Sequence, residues 1–361
     1  MSDRDRNRAG RLRAWGANCL LVAAAFVAVG VALELGVRAF DPQPANLYRF
    51  SPVSFYEPIP GARFVYRRRE FSVPIAYNTF GMRDRERRTE RGSAALCRIA
   101  LIGDSQVEAK EVPFDSTLGQ RLERGLQQAL PSRPVEVLNL GVSGYGTVAT
   151  RARYQHLGLR FRPDIVVYLF MENDPGDNLA KDAMLYEDFG DRLQYRKLYD
   201  GRIPISRRLV DGLKHRLQSY AFLKFRLEEI RRRPSIGNGD PPATPTHDTE
   251  RVTRLAIADL QDVVRSHGGE LAIVQAGTRG PDMSAWLRSS CADLDIPFLD
   301  LEPALRAFPE PVRWQYDGHW RSAGHRAAAN AVLPFLQDLI RERDASPSPT
   351  GPASRRLRQE R

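Results

Sequence analysis

The sequence predicts an α/β fold with a central parallel sheet of about five strands and one N-terminal membrane helix. Three observations carry that expectation. From residue 98 onward, short apolar runs that fit strands buried on both faces alternate with stretches of helical periodicity. Small or polar residues follow the runs, as βα turns require. Ahead of them, residues 14–33 form an uncharged stretch of twenty residues.

The elements follow in order. Five Arg and two Asp fill residues 1–13, and the apolar stretch AWGANCLLVAAAFVAVGVAL comes next. As a helix it spans about 30 Å, the thickness of a bilayer core. After Arg13 the next Arg is Arg38, an asymmetry that predicts a cytoplasmic basic tail (1–13), an anchor (14–36) and an outside location for the rest. A cleaved signal peptide is the alternative, with Ala28-Val29-Gly30 as a small-residue site, but an apolar run this long favours an uncleaved anchor. Residues 37–96 are Pro-, Tyr- and Arg-rich, with short alternating runs at Arg63–Tyr66 and Phe71–Tyr77 and a turn at Asn78–Gly81. They predict a small β-containing edge segment.

The predicted strands of the main domain are Ile99–Ile102, Val135–Leu140, Ile165–Phe170, Leu271–Gln275 and Pro297–Leu301. Helical patterns lie at about 115–129, 147–158, 249–266 and 282–293, with a last helix from Ala323 to about Arg341. Crossovers between parallel strands are expected to be right-handed. About 176–248 exceeds what one crossover needs and reads as an insertion rich in aromatic residues and Arg, ending in a Pro/Gly/Thr loop at Pro234–His247. Residues 344–361, Pro/Ser/Gly-rich and then basic, read as a disordered tail.

The formal charge of +10 on 361 residues invites a nucleic-acid reading, but its distribution opposes one. The two ends, 1–13 and 341–361, each carry +3. Three cysteines cannot make a disulfide framework, and no paired Cys/His spacing suggests a zinc module. An outside location permits a Cys97–Cys291 bridge, and two buried thiols are the equal alternative. No metal or cofactor is expected.

Ligands meet open parallel sheets at the carboxyl ends of strands. There the sequence places Gly103-Asp104-Ser105, then Asn139-Leu140-Gly141-Val142-Ser143-Gly144, then Asn173-Asp174, and finally Asp317-Gly318-His319-Trp320. A serine, a glycine loop, an asparagine and an Asp/His pair are the parts of acyl transfer: nucleophile, oxyanion donors, base and orienter.

These four blocks, in this order across about 98–340, resemble the SGNH/GDSL hydrolase superfamily. The resemblance implies a three-layer, flavodoxin-like domain over 97–343. It implies an esterase or acylhydrolase with Ser105, Asp317 and His319 catalytic and the Ser105 and Gly144 N–H groups and Asn173 amide in the oxyanion hole. Its substrate would be an ester-bearing small molecule or acylated glycan outside the cytoplasmic membrane. Met171 stands where the third block usually has glycine. The Asp-x-His-Trp spacing, shorter than the usual Asp-x-x-His, resembles SGNH-like exopolysaccharide O-acetyltransferases. Side chains at i and i+2 of an extended segment share a side, so Asp317 is expected to reach His319 Nδ1 that way. Asn78, Gly81, Arg83 and Asp84 resemble membrane-anchored members. An O-acetyltransferase and a non-catalytic glycan-binding protein of the same fold remain alternative functions.

Ser143 is a rival nucleophile but lacks the second glycine of a nucleophile elbow. Gly144-Tyr145-Gly146 imitates a dinucleotide loop, yet no acid ends the next strand to hold a ribose. His325 is expected to be structural. Trp320 either walls the site or anchors its loop.

Overall fold

The computed structural model describes residues 3–40, 47–196, 217–231, 247–277 and 281–345. The chain divides into two units, Met1–Asn46 with Ile203–Arg232, and Leu47–Arg202 with Arg233–Arg361.

In the first unit, α1 (Asp3–Phe40) is one continuous helix whose Trp15–Phe40 portion is long and apolar enough to cross a membrane. The helix at Gln218–Arg231 belongs to the same unit, and the Glu34 carboxylate accepts its first N–H groups, from Gln218 at 3.0 Å and Ser219 at 2.9 Å.

The second unit opens with two hairpins, β1 (Tyr48–Ser51) with β2 (Phe55–Pro58), and β3 (Arg63–Arg67) with β4 (Ser72–Ala76). The strand and helix pattern then follows: β5 (Cys97–Gly103), α2 (Ser105–Glu108), α3 (Leu118–Ala129), β6 (Val135–Asn139), α4 (Thr147–His156), β7 (Ile165–Met171) and α5 (Asp174–Ala180). A small hairpin, β8 (Tyr186–Asp188) with β9 (Leu193–Tyr195), begins the insertion, and the Gln218–Arg231 helix is α6. The chain continues with α7 (His247–Ser266), β10 (Glu270–Ala276), α8 (Pro281–Asp293), β11 (Phe298–Asp300), α9 (Glu302–Arg306) and α10 (Ser322–Ala345). Tyr199 and all of the Pro234–His247 loop except His247 lie outside the described residues.

The expected five-stranded sheet is present, in the order β6-β5-β7-β10-β11 and parallel throughout. Alternation of side chains along each strand splits the core in two. Ile99, Leu101, Val167, Leu169 and Val274 pack with α3 and α10, while Ala100, Ile102, Val166, Tyr168 and Ile273 pack with α4, α7 and α8. This is a three-layer α/β sandwich. After β5 the chain steps to β6 on one side and then returns to β7 on the other. The carboxyl end of β5 is therefore a topological switch point, where such sheets bind ligands.

One open alternative is decided and one boundary is corrected. Cys97 and Cys291 are both buried free thiols, and they lie in the two core layers on opposite faces of the sheet, so they do not pair. The last helix runs through Ala345, so Asp344 belongs to it and its carboxylate meets Arg133 at 2.7 Å, two residues into the expected tail.

Candidate active site

The site is assembled around the turn that leaves β5. Asp104 caps the single turn of α2, its Oδ1 accepting the Gln106 N–H at 3.0 Å. α2 is only four residues long, so its macrodipole is slight, and individual N–H groups matter instead. Two side chains brace this turn from outside. Arg83 donates to the carbonyls of Glu108 (3.0 Å) and Val112 (2.6 Å), and Asn139 Nδ2 donates to the Val107 carbonyl at 2.8 Å. Asn78 and Asp84, from the same edge segment as Arg83, are also buried: Asn78 Oδ1 accepts the N–H of Phe80 and Met82, and Asp84 pairs with Arg87.

Ser105 Oγ lies 2.9 Å from His319 Nε2, and His319 Nδ1 is hydrogen-bonded to Asp317 Oδ1. Ser105, His319 and Asp317 therefore form one continuous chain of polar contacts. Burial opposes the imidazolium, but the carboxylates of Glu111, Asp317 and Asp104 outweigh it and push His319 up to about 9. Burial likewise pushes the Asp104 carboxyl up to about 6, against the Gln106 N–H, His319 and Asn173, all of which favour its charged form.

Asp317 and His319 do not share a side of an extended strand, as the spacing suggests. They sit on a turn, in which Gly318 N–H donates to the Trp314 carbonyl at 3.1 Å and Trp314 N–H to the His319 carbonyl at 2.9 Å. Gly318 has φ +82, in the left-handed region that a side chain disfavours, and this reversal brings the two side chains together. Glu70, on the loop joining β3 to β4, holds the turn. Its carboxylate accepts three successive N–H groups, from Gln315 (2.8 Å), Tyr316 (2.7 Å) and Asp317 (3.0 Å). Arg69 lies over the Tyr316 ring at 3.9 Å. Trp320 is fully buried and meets His325 edge-on at 5.4 Å, so it anchors the loop rather than walling the site. Burial holds His325 down to about 3, neutral and structural as expected.

The glycine loop after β6 is fastened from below. Glu108, fully buried, accepts the Ser143 N–H at 2.7 Å and the Ser143 hydroxyl at 2.5 Å. It also accepts the hydroxyls of Tyr48 and Tyr77. Burial works against its charge, but Lys110, Ser143 and Tyr77 outweigh that, and the carboxyl stays below its usual range. Ser143 is thus a loop clamp, not a nucleophile. Tyr56 donates to the Ser143 carbonyl at 2.6 Å, and a Cβ on Gly144 (φ +79) would stand 2.8 Å from that same phenol oxygen.

Asn173 stands two residues past the end of β7, at the start of α5, with its Nδ2 donating to Asp177 Oδ2 at 2.9 Å. Asp174 accepts the Tyr168 hydroxyl (2.7 Å) and the Met171 N–H (2.9 Å), and burial, then Asp104, drives its carboxyl well above the usual range. It is a structural acid.

Of the expected site residues, Ser105, His319 and Asp317 are joined directly, whereas Asn173 follows β7 and hydrogen-bonds Asp177, and Gly144 stands on the loop after the neighbouring strand β6. Glu70, Glu108 and Glu111 were not singled out by sequence. Glu111, Asp317 and His319 bring possible metal-ligand atoms within 4.8 Å of one another, but a cation there would displace the Asp317–His319 hydrogen bond.

A hydroxyl, an imidazole and a carboxylate in line at the switch point of a parallel sheet are the arrangement of a serine hydrolase. Residues 101–327 match the GDSL-like lipase/acylhydrolase family, and the chain belongs to that family. No curated protein matches the chain. Similar solved structures include TesA, with 14% identity over 67% of this chain and 99% of TesA and a TM-score of 0.40. A point mutant of Axe2, an acetyl-xylooligosaccharide esterase from a Geobacillus species, has 14% identity over 66% of this chain and 92% of its own, TM-score 0.39. A two-domain esterase active on acetylated mannans has 13% identity over 71% of this chain and 52% of its own, TM-score 0.40.

Proposed function

We propose that this chain is a serine esterase that cleaves O-acyl esters, O-acetyl groups foremost, with its catalytic domain outside the cytoplasmic membrane and α1 as its anchor. The observation that carries the reading is the unbroken contact chain Ser105–His319–Asp317. Ser105 Oγ attacks the ester carbonyl while His319 Nε2 takes its proton. Asp317 fixes the imidazole tautomer and stabilises the imidazolium. The proton then passes to the departing alcohol, leaving an acyl-serine that water hydrolyses by the same steps. The Ser105 and Gly144 N–H groups and the Asn173 amide stabilise the oxyanion. Because the His319 side chain is 28% exposed, water can reach the acyl-serine, which favours hydrolysis over transfer.

A panel of p-nitrophenyl esters and acetylated glycans, each assayed with and without an acceptor sugar, tests this reading. Release of free acetate supports it. Acetate appearing only on the acceptor would make the protein an O-acetyltransferase, and binding of the glycan without turnover would make it a binding protein.

Two further outcomes follow. Asn173→Ala should lower kcat by roughly 100- to 1,000-fold with little change in KM, the usual cost of one oxyanion donor. Steady-state kinetics on p-nitrophenyl acetate check it. Glu70→Ala removes the acceptor for three turn N–H groups. It should lower stability by about 1–3 kcal/mol and kcat by roughly 10-fold, whereas Glu70→Gln, which keeps an acceptor oxygen, should lose less of both. Thermal unfolding and kcat measured on the same preparations check the pair.

A further inference from the structure

One buried carboxylate beside the site has no part in the three-residue relay. Glu111 follows α2, on a loop turned back by Ala109 in the left-handed region (φ +56) and bracketed by the Arg83 contacts to Glu108 and Val112. It is 2% exposed, and its Oε1 stands 3.8 Å from His319 Nδ1, on the same ring nitrogen that Asp317 holds. A buried carboxylate is costly unless a positive charge compensates it. Among the described residues its ion-pair contact is His319, with Arg83 and Lys110 as further nearby cations.

We propose that Glu111 is a second carboxylate partner of His319, a positioning residue that shares the imidazolium with Asp317 and takes over the Nδ1 hydrogen bond when Asp317 is shortened. The inference rests on the esterase reading. At 3.8 Å the Glu111 oxygen is about 0.6 Å beyond the usual hydrogen-bond range, and Asp317 occupies the closer position. Removing the Asp317 carboxylate vacates that position. An asparagine at 317 would still fill it and could donate an amide proton to Nδ1, stabilising the wrong tautomer.

The charge of Glu111 also sets the pH at which His319 becomes a base. The groups facing the imidazole are Asp317 on its own turn, Glu111 on the α2 loop, Asp104 at the end of β5 and His325 on α10. Three are acidic, so the neutral imidazole needed for proton abstraction is reached only at alkaline pH. Activity should therefore rise with pH through about 9. Removing one negative charge favours the neutral form and moves that rise downward.

The test uses the full-length protein and kcat/KM for p-nitrophenyl acetate from pH 6 to 10, with wild type and Ser105→Ala as references. Glu111→Gln is expected to shift the acid limb down by at least about one pH unit, the usual effect of an adjacent charge, and Glu111→Asp to restore it toward wild type. Independently of that pair, Asp317→Ala is expected to be at least 10-fold more active than both Asp317→Asn and Asp317→Ala/Glu111→Gln. A Glu111→Gln limb that coincides with wild type, or an Asp317→Ala no better than Asp317→Asn, would overturn the assignment. An inactive wild type, or a Ser105→Ala as active as wild type, would instead overturn the esterase reading.

Discussion

Ser105→Ala is expected to lower kcat for ester hydrolysis by roughly 10⁴- to 10⁶-fold, about 5–8 kcal/mol of transition-state stabilisation. The size follows from the role. No other hydroxyl contacts His319 Nε2 among the described hydrogen bonds, and Ser143, the nearest rival in sequence terms, is clamped by Glu108 and Tyr56. The fold should be undisturbed. Ser105 Oγ contributes one bond to His319 and a weak one to Asp104 at 3.4 Å, whereas the Asp104 cap on Gln106 does not involve it. An unchanged thermal midpoint beside a collapsed kcat would separate chemistry from folding.

His319→Ala should cost a comparable factor, because nucleophile and base act as a unit. It differs in being repairable. Truncation leaves a ring-sized space between Ser105 Oγ and Asp317, and the native side chain is 28% exposed, so small molecules can enter. Added imidazole should therefore restore activity in a saturable way, at least 10-fold above the buffer rate for this variant. The same imidazole should do nothing for Ser105→Ala, which lacks the nucleophile. Rates measured against imidazole concentration check both statements.

Much of this architecture was legible from sequence because it is written in local patterns. Ile99–Ile102 and Ile165–Phe170 read as doubly buried strands, and the observed β5 and β7 differ from them by two residues or fewer at each end. The strand-end position of Ser105 follows from the same pattern, since a βα turn must come there. The Asp317–His319 pairing was legible, but its geometry was not. The turn depends on Gly318 in a left-handed conformation and on Glu70, which lies 247 positions away from Asp317 and carries no spacing signal. Glu111 was hidden for a different reason. Six residues past Ser105, it would read as an ordinary solvated acid until the reversal at Ala109 turns it inward. The fate of the cysteines depended on which face of the sheet each occupies, which no spacing between Cys97 and Cys291 encodes.

The edge hairpins that precede the parallel sheet reach the candidate site. The β3–β4 loop supplies Glu70 to the His319 turn, β2 supplies Tyr56 to the Ser143 carbonyl of the glycine loop, and β1 supplies Tyr48 to Glu108, which holds that loop. These contacts make the hairpins part of the site's supporting structure rather than a spacer after α1.

The central claim is that Ser105 is an activated nucleophile, and covalent labelling tests it most directly. The full-length protein is treated with a fluorophosphonate, digested, and the modified residue located by mass spectrometry. The account predicts one phosphonylated peptide, modified at Ser105, with labelling abolished in Ser105→Ala and strongly slowed in His319→Ala. Modification at another serine, or equal labelling of Ser105→Ala, would contradict it.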